Sequence, residues 1–277
     1  MERSFPGDAT RVADTPVRST DMSGRRPVRL WDLILTVLAG GVLPFVLAFA
    51  GGLIIGVTGK QSGITPADLQ HFVAGLSSNF VAVQVFTAII YIAMFIVMWF
   101  IARRRGPATV SGYFARVRPR TLVLAAVSGL MLACLVLFAI VWLGQHTTVT
   151  FHTTKSEEVL LEARTPLQLA LSLGVIAIIA PFVEELYFRG LMLAWLRRWL
   201  WLPLAALVDA ALFALVHGRY LNHSGTEGWV LTVMVGLVGL LNVIWFARTR
   251  SLWPPFMTHA FYNGTLVTLA YLGSSAG

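Results

Sequence analysis

Residues 167–196 read LQLALSLGVIAIIAPFVEELYFRGLMLAWL, an apolar run that contains two adjacent glutamates, Glu184 and Glu185, and one arginine, Arg189. The run exceeds the ~20 residues that a helix needs to cross the hydrocarbon core of a bilayer. It therefore predicts a transmembrane helix with charged side chains at membrane depth. Such side chains cost at least ~2.5–3.5 kcal/mol each on insertion scales, which makes these three residues functional candidates.

The rest of the 277-residue chain is equally apolar. Its residues are 57% hydrophobic and 12% charged, whereas soluble domains average about 25% charged. This composition excludes a disordered chain and argues against a water-soluble globule. We predict an all-α, polytopic transmembrane helical bundle of about seven spans, with six to eight possible. The predicted spans are 30–58, 79–102, 121–143, 167–196, 203–221, 228–247 and 252–273.

The basic residues predict the orientation of the bundle. Of the 21 Lys and Arg, seventeen fall in the amino-terminal tail and in alternate gaps between spans, and four fall in the other gaps. By the positive-inside rule, the amino terminus and the loop 103–120 face the cytoplasm, and residues 144–166 face away. We expect an integral protein of a bacterial plasma (inner) membrane. Because the basic residues occupy short gaps rather than one soluble face, no nucleic-acid partner is expected.

The chain divides into three parts on these criteria. Residues 1–29 carry six Arg with no apolar core and predict a disordered cytoplasmic tail. Residues 30–165 predict transmembrane helices without a motif. Residues 166–277 hold most of the polar residues at membrane depth.

Three later spans carry further polar residues at membrane depth. The fifth contains Asp209 and His217, the sixth contains Asn242, and the seventh contains His259 and Asn263. If the fourth and fifth helices form an antiparallel hairpin that turns near Trp201, Glu184 and His217 lie about 25 Å along their helices from the turn, at ~1.5 Å per residue. We therefore expect these side chains to line one cavity.

Helical phase separates the two glutamates. Adjacent residues point about 100° apart, so Glu184 and Glu185 have different surroundings. Glu185 and Arg189 are four residues apart and can pair on one face, which leaves Glu184 for the cavity. Phe213 and His217 share the same spacing, as do His259 and Asn263. Asp209 either tunes His217, two turns later, or makes a local polar contact.

A carboxylate beside two imidazoles can activate water in two ways. Glu184 could act as a general base, or Glu184, His217 and His259 could hold zinc and leave one position open for water. His259 and Asn263 could also donate hydrogen bonds to a developing oxyanion. Each arrangement favours hydrolysis, and the residues alone do not choose between a cofactor-free site and a zinc site.

The motifs EExxxR, FxxxH and HxxxN, at Glu184–Arg189, Phe213–His217 and His259–Asn263, resemble the signature of the CPBP family. This family comprises type II CAAX prenyl endopeptidases and bacterial abortive-infection or bacteriocin self-immunity membrane proteins. The resemblance implies that residues 166–277 are a catalytic domain and that the protein is an intramembrane endopeptidase, of glutamate type or metal-dependent. Its substrate would be a membrane-associated protein or peptide, CAAX-like or lipidated. It also implies the site residues, which are Glu184, Glu185, Arg189, His217, His259 and Asn263.

The resemblance also implies how the roles divide. Glu184 would activate water with the help of His217, while His259 and Asn263 would stabilise the tetrahedral intermediate. Two other classes of function stay open. A non-catalytic self-immunity or scaffold protein would tolerate Glu184→Gln. A proton-coupled transporter is less favoured, because transporters commonly show two similar halves, whereas the polar residues here crowd into the last third.

Overall fold

A computed structural model describes residues 27–42, 78–105, 113–152, 163–223 and 225–275, with isolated positions between 43 and 77. Most of the predicted tail 1–29, the second half of the predicted span 30–58 and much of the loop 144–166 lie outside the described residues. Every regular element in the described part is helical, as the composition predicted. The helices are α1 (Leu30–Val42), α2 (Phe80–Arg105), α3 (Pro119–His146), α4 (Pro166–Leu196), α5 (Leu202–Val216), α6 (Arg219–Asn222), α7 (Gly225–Thr249) and α8 (Trp253–Ser275).

Four of the described helices are long and apolar enough to cross a membrane, namely α2, α3, α4 and α7. They coincide with the predicted spans 79–102, 121–143, 167–196 and 228–247. The prediction of about seven spans is therefore confirmed only in part. The predicted span 203–221 is interrupted, because α5 has 15 residues, which cover about 22 Å of a ~30 Å hydrocarbon core. The first described helix, α1, is also a shorter apolar helix.

Proline and capping residues begin the helices that carry the site. Helix α4 begins at a capping box, in which the Thr165 side chain accepts from the Gln168 backbone N–H and the Gln168 side chain accepts from the Thr165 backbone N–H. Pro119, Pro166 and Pro203 stand in the first turns of α3, α4 and α5. Proline suits this position because the first backbone N–H groups of a helix have no acceptor inside it.

Helix α4 is not a uniform α-helix. Two π-helical segments, Leu173–Ile179 and Leu186–Met192, flank the α-helical turn Ala180–Glu185 that carries both glutamates. Short π-helical segments inside α-helices are frequent at functional sites, because the wider turn changes the direction of the side chains that follow. Pro181 contributes to the irregularity, since it has no N–H to donate to the preceding turn.

Small residues bring the helices around α4 together. A Cβ atom added at Gly129 of α3 would lie 2.0 Å from the Thr258 carbonyl oxygen of α8, so only glycine allows this approach. A Cβ atom added at Gly239 of α7 would lie 3.0 Å from Phe213 Cδ1 and 3.2 Å from Ala210 Cα of α5. These two close contacts fix α8 on α3 and α5 on α7, and thereby position the polar residues that α5, α7 and α8 contribute.

Hydrogen bonds distinguish the two ends of the bundle. At one end, the Leu252 N–H donates to the Tyr113 carbonyl over 2.7 Å, and Arg198 donates to the Val28 carbonyl. At the other end, Ser274 donates to the Ala163 carbonyl and the His152 N–H donates to Glu227. The segments before and after α3 thus lie at opposite ends, as the charge pattern required. Which end faces the cytoplasm stays a prediction.

Candidate functional site

The two adjacent glutamates of α4 lie in different surroundings. The Glu184 side chain is 13% exposed and faces a cavity of about 260 Å³. The Glu185 side chain is 1% exposed and is enclosed between α4, α7 and α8. This division is the one that helical phase predicted.

Three side chains from three other helices surround the Glu184 carboxylate. The Tyr91 hydroxyl of α2 donates a hydrogen bond to Glu184 Oε1. The Nε2 atoms of His217 and His259 lie 3.8 and 3.7 Å from Glu184 Oε2. We call Tyr91, Glu184, His217 and His259 the cavity group. One carboxylate oxygen is thus held by a phenol, while the other faces two imidazole nitrogens.

Both imidazoles are oriented through their other ring nitrogen. His217 Nδ1 lies 2.6 Å from the Phe213 carbonyl oxygen, and His259 Nδ1 lies 3.0 Å from Glu185 Oε1. A carbonyl oxygen can only accept, so His217 Nδ1 is the donor in its hydrogen bond, and Glu185 Oε1 stands in the same position toward His259 Nδ1. In each ring, Nε2 is then the nitrogen directed at the cavity.

A second cluster lies behind the cavity. Arg189 Nη1 donates to Glu185 Oε1 over 3.1 Å, Arg189 Nε lies 3.1 Å from Glu185 Oε2, and Asn242 Nδ2 donates to Glu185 Oε1 over 2.7 Å. Asp209 Oδ2 lies 3.7 Å from Arg189 Nε. We call Glu185, Arg189, Asp209 and Asn242 the buried group, since each residue is 0–1% exposed. His259 connects it to the cavity group.

Asp209 and Phe213 both lie beside the buried Arg189 guanidinium. Of the two roles considered for Asp209, the structure supports the local polar contact, since Asp209 lies beside Arg189 rather than against His217. The Phe213 ring is 1% exposed. It lies 4.8 Å below the Arg189 guanidinium and 4.5 Å from the His217 ring. A cation–π contact of this kind helps to accommodate a buried guanidinium.

Asn263 lines the cavity, but its amide has another partner. Asn263 Nδ2 donates to the Ile176 carbonyl over 2.9 Å. Ile176 lies in the first π-helical segment, where each carbonyl accepts from the fifth residue onward, which here is Pro181. Since proline has no N–H, Asn263 supplies a donor that the backbone lacks.

The structure thus brings together all six site residues predicted from the sequence and adds Tyr91, which the sequence analysis missed. A signal was available, because Gln84, Thr87 and Tyr91 are spaced three and four residues apart in α2 and share one face of an apolar helix. Gln84 donates to the buried Ser172 hydroxyl, and Thr87 and Tyr91 line the cavity. This polar face turns α2 toward α4.

The residues proposed as zinc ligands fit the metal by type. Zinc prefers His nitrogen and carboxylate oxygen, and ligating imidazoles commonly donate their other N–H to a carboxylate or carbonyl, as both do here. Ligand atoms about 2.0–2.1 Å from zinc in a tetrahedron are about 3.4 Å apart. The distances from Glu184 Oε2 to the Nε2 atoms of His259 and His217, 3.7 and 3.8 Å, are wider than this. Among the described residues, no group of three or more His, Cys, Asp or Glu is arranged to hold a metal ion.

The length and apolar composition of several helices indicate an integral membrane protein. Residues 166–265 match the family model for Rce1-like proteins, described as type II CAAX prenyl endopeptidase Rce1-like. The match confirms the resemblance found in the motifs, and it supports an intramembrane protease at the level of the family. No curated protein and no solved structure matches the chain.

Proposed function

We propose that this protein is an intramembrane endopeptidase in which Glu184 activates water to hydrolyse a peptide bond of a membrane-associated substrate. The observation that carries the proposal is the surroundings of Glu184 Oε2. This acceptor faces the Nε2 atoms of His217 and His259 at 3.7–3.8 Å inside a cavity within an apolar bundle. A carboxylate oxygen that is open toward a cavity can reach the proton of a bound water, which is what general-base chemistry requires.

The proposed reaction conserves protons without a cofactor. Glu184 Oε2 takes a proton from water, and the water oxygen bonds to the carbonyl carbon of the substrate. Glu184 passes this proton to Nε2 of His217 or His259, and the imidazolium so formed donates a hydrogen bond to the resulting oxyanion. The imidazolium then protonates the amide nitrogen, the C–N bond breaks and the amine leaves. The new carboxylic acid gives its remaining proton to Glu184, which passes it to solvent, so that the other fragment leaves as a carboxylate and Glu184 is ionised again.

Tyr91 has a definite role in this proposal. Its hydroxyl engages Glu184 Oε1, which fixes the rotamer that directs Oε2 toward the imidazoles. A catalytic group held by a neighbouring hydrogen bond needs less reorganisation to reach the reactive geometry. We infer that Asn263 acts mainly by supporting α4 through the Ile176 carbonyl, rather than at the oxyanion.

The family match supports a proposal for the class of substrate. A CAAX sequence is a lipid-modified cysteine followed by two aliphatic residues and one variable residue that carries the free carboxyl terminus. We propose a substrate of this general type, cut close to its carboxyl end. The lipid would stay in the bilayer while the peptide reaches the cavity. Valine and leucine side chains, those of Val235, Val238, Leu266 and Val267, line the cavity and suit aliphatic residues.

The test is cleavage of a lipidated peptide by the purified full-length protein, with Glu184→Gln as the comparison. We expect wild-type protein to cleave one internal peptide bond and Glu184→Gln protein to bind the peptide without cleaving it. A scaffold or self-immunity protein would show no cleavage in either form and would keep its cellular function in the Glu184→Gln variant. Comparative membrane proteomics of the two strains would then identify a natural precursor by its accumulation.

Zinc is the second candidate, favoured by the way both Nδ1 atoms are hydrogen-bonded. Glu184, His217 and His259 would hold the ion, which when bound lowers the pKa of a water ligand and polarises a carbonyl. Removal of metal by a chelator, followed by metal analysis and an assay, distinguishes the two sites. Full turnover in metal-free protein would eliminate the zinc site and favour the general-base site.

A further inference from the structure

The cavity wall includes a guanidinium that the proposed reaction does not use. Arg219 lines the same cavity as Glu184 and His217, and among the described lining residues it is the sole Lys or Arg. Its position follows from the end of α5. The helix stops at Val216, and Gly218 adopts the left-handed conformation with φ of 65°, which glycine adopts without strain. The chain turns at Gly218, which places Arg219 two residues beyond His217.

Arg219 shares the cavity wall with both polar and aliphatic side chains. The side chain is half-buried and lies near Tyr262, another residue of the cavity wall. The group stays cationic at neutral pH, because an arginine cannot be deprotonated in practice. The aliphatic side chains of Val235, Val238 and Leu266 form other parts of the same wall. A cation therefore lies at one side of a cavity whose other walls are largely apolar.

A planar guanidinium in such a place is suited to bind an anionic group, and on a peptide substrate that group is a carboxylate. Arginine binds carboxylates through two parallel hydrogen bonds, and these charge-assisted bonds are stronger where water is partly excluded. A peptide cut near its end presents a terminal carboxylate within a few residues of the scissile bond. The aliphatic side chains that line the same cavity would receive the side chains between the carboxylate and the scissile bond.

We infer that Arg219 binds the terminal carboxylate of the substrate, and so positions a peptide bond a few residues upstream at Glu184. The inference rests on the proposed function, because it names the substrate feature that the same cavity recognises. It makes Arg219 a specificity-determining residue and predicts that the protein selects peptides by the charge of their carboxyl end.

The test compares two peptides that differ only at that end. Both are farnesylated and end in a modified cysteine, two valines and a methionine, one with a free carboxylate and the other with a carboxamide. Purified full-length wild-type protein should favour the acid by about 10- to 100-fold in kcat/KM, mostly through KM, which corresponds to hydrogen bonds to a charged group. In Arg219→Gln this preference should fall to about twofold or less, and Arg219→Lys should retain part of it.

A matched control is Arg120→Gln, which removes an exposed guanidinium at the start of α3, outside the cavity. It should keep the wild-type preference for the acid. Equal cleavage of acid and amide by wild-type protein, or an unchanged preference in Arg219→Gln, would overturn the inference.

Failure of the proposed function gives a different result, because then neither peptide is cleaved. In that case, the affinities of the protein for the acid and the amide peptides test the role of Arg219. Fluorescence anisotropy of the two labelled peptides should show tighter binding of the acid to Glu184→Gln protein, and loss of that difference when Arg219→Gln is added. Equal binding of acid and amide, or binding of neither, would count against Arg219 as the carboxylate site whatever the reaction is.

Discussion

The cavity group and the buried group are built from neighbouring residues of α4 but differ in how their polar atoms are satisfied. In the buried group, Glu185 accepts from Arg189, Asn242 and His259 within 2.7–3.1 Å. In the cavity group, Glu184 Oε2 faces two imidazoles at 3.7–3.8 Å, which is too far for direct hydrogen bonds. Three hydrogen bonds to Oε1 and the ion pair between Oε2 and Arg189 Nε hold the Glu185 carboxylate in place, whereas Glu184 Oε2 is open toward the cavity and available for chemistry.

The largest expected effect separates the groups by activity. Glu184→Gln removes the proposed base and should lower kcat by about 10²–10⁴-fold, the usual contribution of general-base catalysis. Its apparent melting temperature in detergent should change little, because one face of the side chain already meets the cavity. The matched control is Glu227→Gln, a buried acid in the first turn of α7 that accepts from the His152 backbone N–H and lies 3.1 Å from His223 Nδ1, outside the residues that line the cavity. Near-normal turnover in Glu184→Gln protein would remove the cavity group from the chemistry.

The next effect separates the groups by stability. Glu185→Gln leaves the Arg189 guanidinium with a weakened partner, at a cost on the order of 3–5 kcal/mol for a well-buried pair. Asp209 and the Gly239 carbonyl still contact Arg189, so the lower end of that range is expected. Folded yield and thermal melting report the loss, and adding Arg189→Gln should recover part of it. A Glu185→Gln protein that is fully stable but inactive would reverse the roles assigned to the two glutamates.

A smaller effect tests whether Asn263 stabilises the fold through the Ile176 carbonyl or stabilises the oxyanion of the proposed reaction. Asn263→Ala leaves the Ile176 carbonyl without its side-chain donor and should cost about 1–3 kcal/mol, the range for an unsatisfied buried polar group. Pro181→Ala restores a backbone N–H in the register of Ile176, so Asn263→Ala should cost less in that background. Unchanged melting together with a kcat loss of about 100-fold would instead place Asn263 at the oxyanion.

The smallest expected effect concerns Tyr91, the member of the cavity group that lies outside the residues matched by the family model. Tyr91→Phe removes the hydrogen bond to Glu184 Oε1 and should lower kcat by about tenfold with little change in KM, since one hydrogen bond to a charged group is lost. Tyr113→Phe is the matched control, because its hydroxyl donates to the Gly190 carbonyl away from the cavity. Equal losses in both variants would show a general packing effect.

Much of this site could be predicted without coordinates. The spacing of Glu185 and Arg189 predicted their pairing, and equal distances from the turn near Trp201 predicted that Glu184 and His217 meet. Both follow from the regular rise and rotation of a helix. Asn263 was predicted to face the same cavity, and it does, but the partner of its amide depends on a π-helical segment that spacing alone does not reveal.

The sequence by itself determined that the chain is helical and apolar, that the polar residues of the last third interrupt apolar segments, and that the two glutamates diverge. These properties depend on composition and on local helical periodicity. Only the tertiary structure decided that Tyr91 joins Glu184, that Asp209 lies beside Arg189, and that Arg219 enters the cavity. Such contacts join helices whose tilt and rotation are set by packing, as at Gly129 against Thr258, and no periodicity within one helix specifies them.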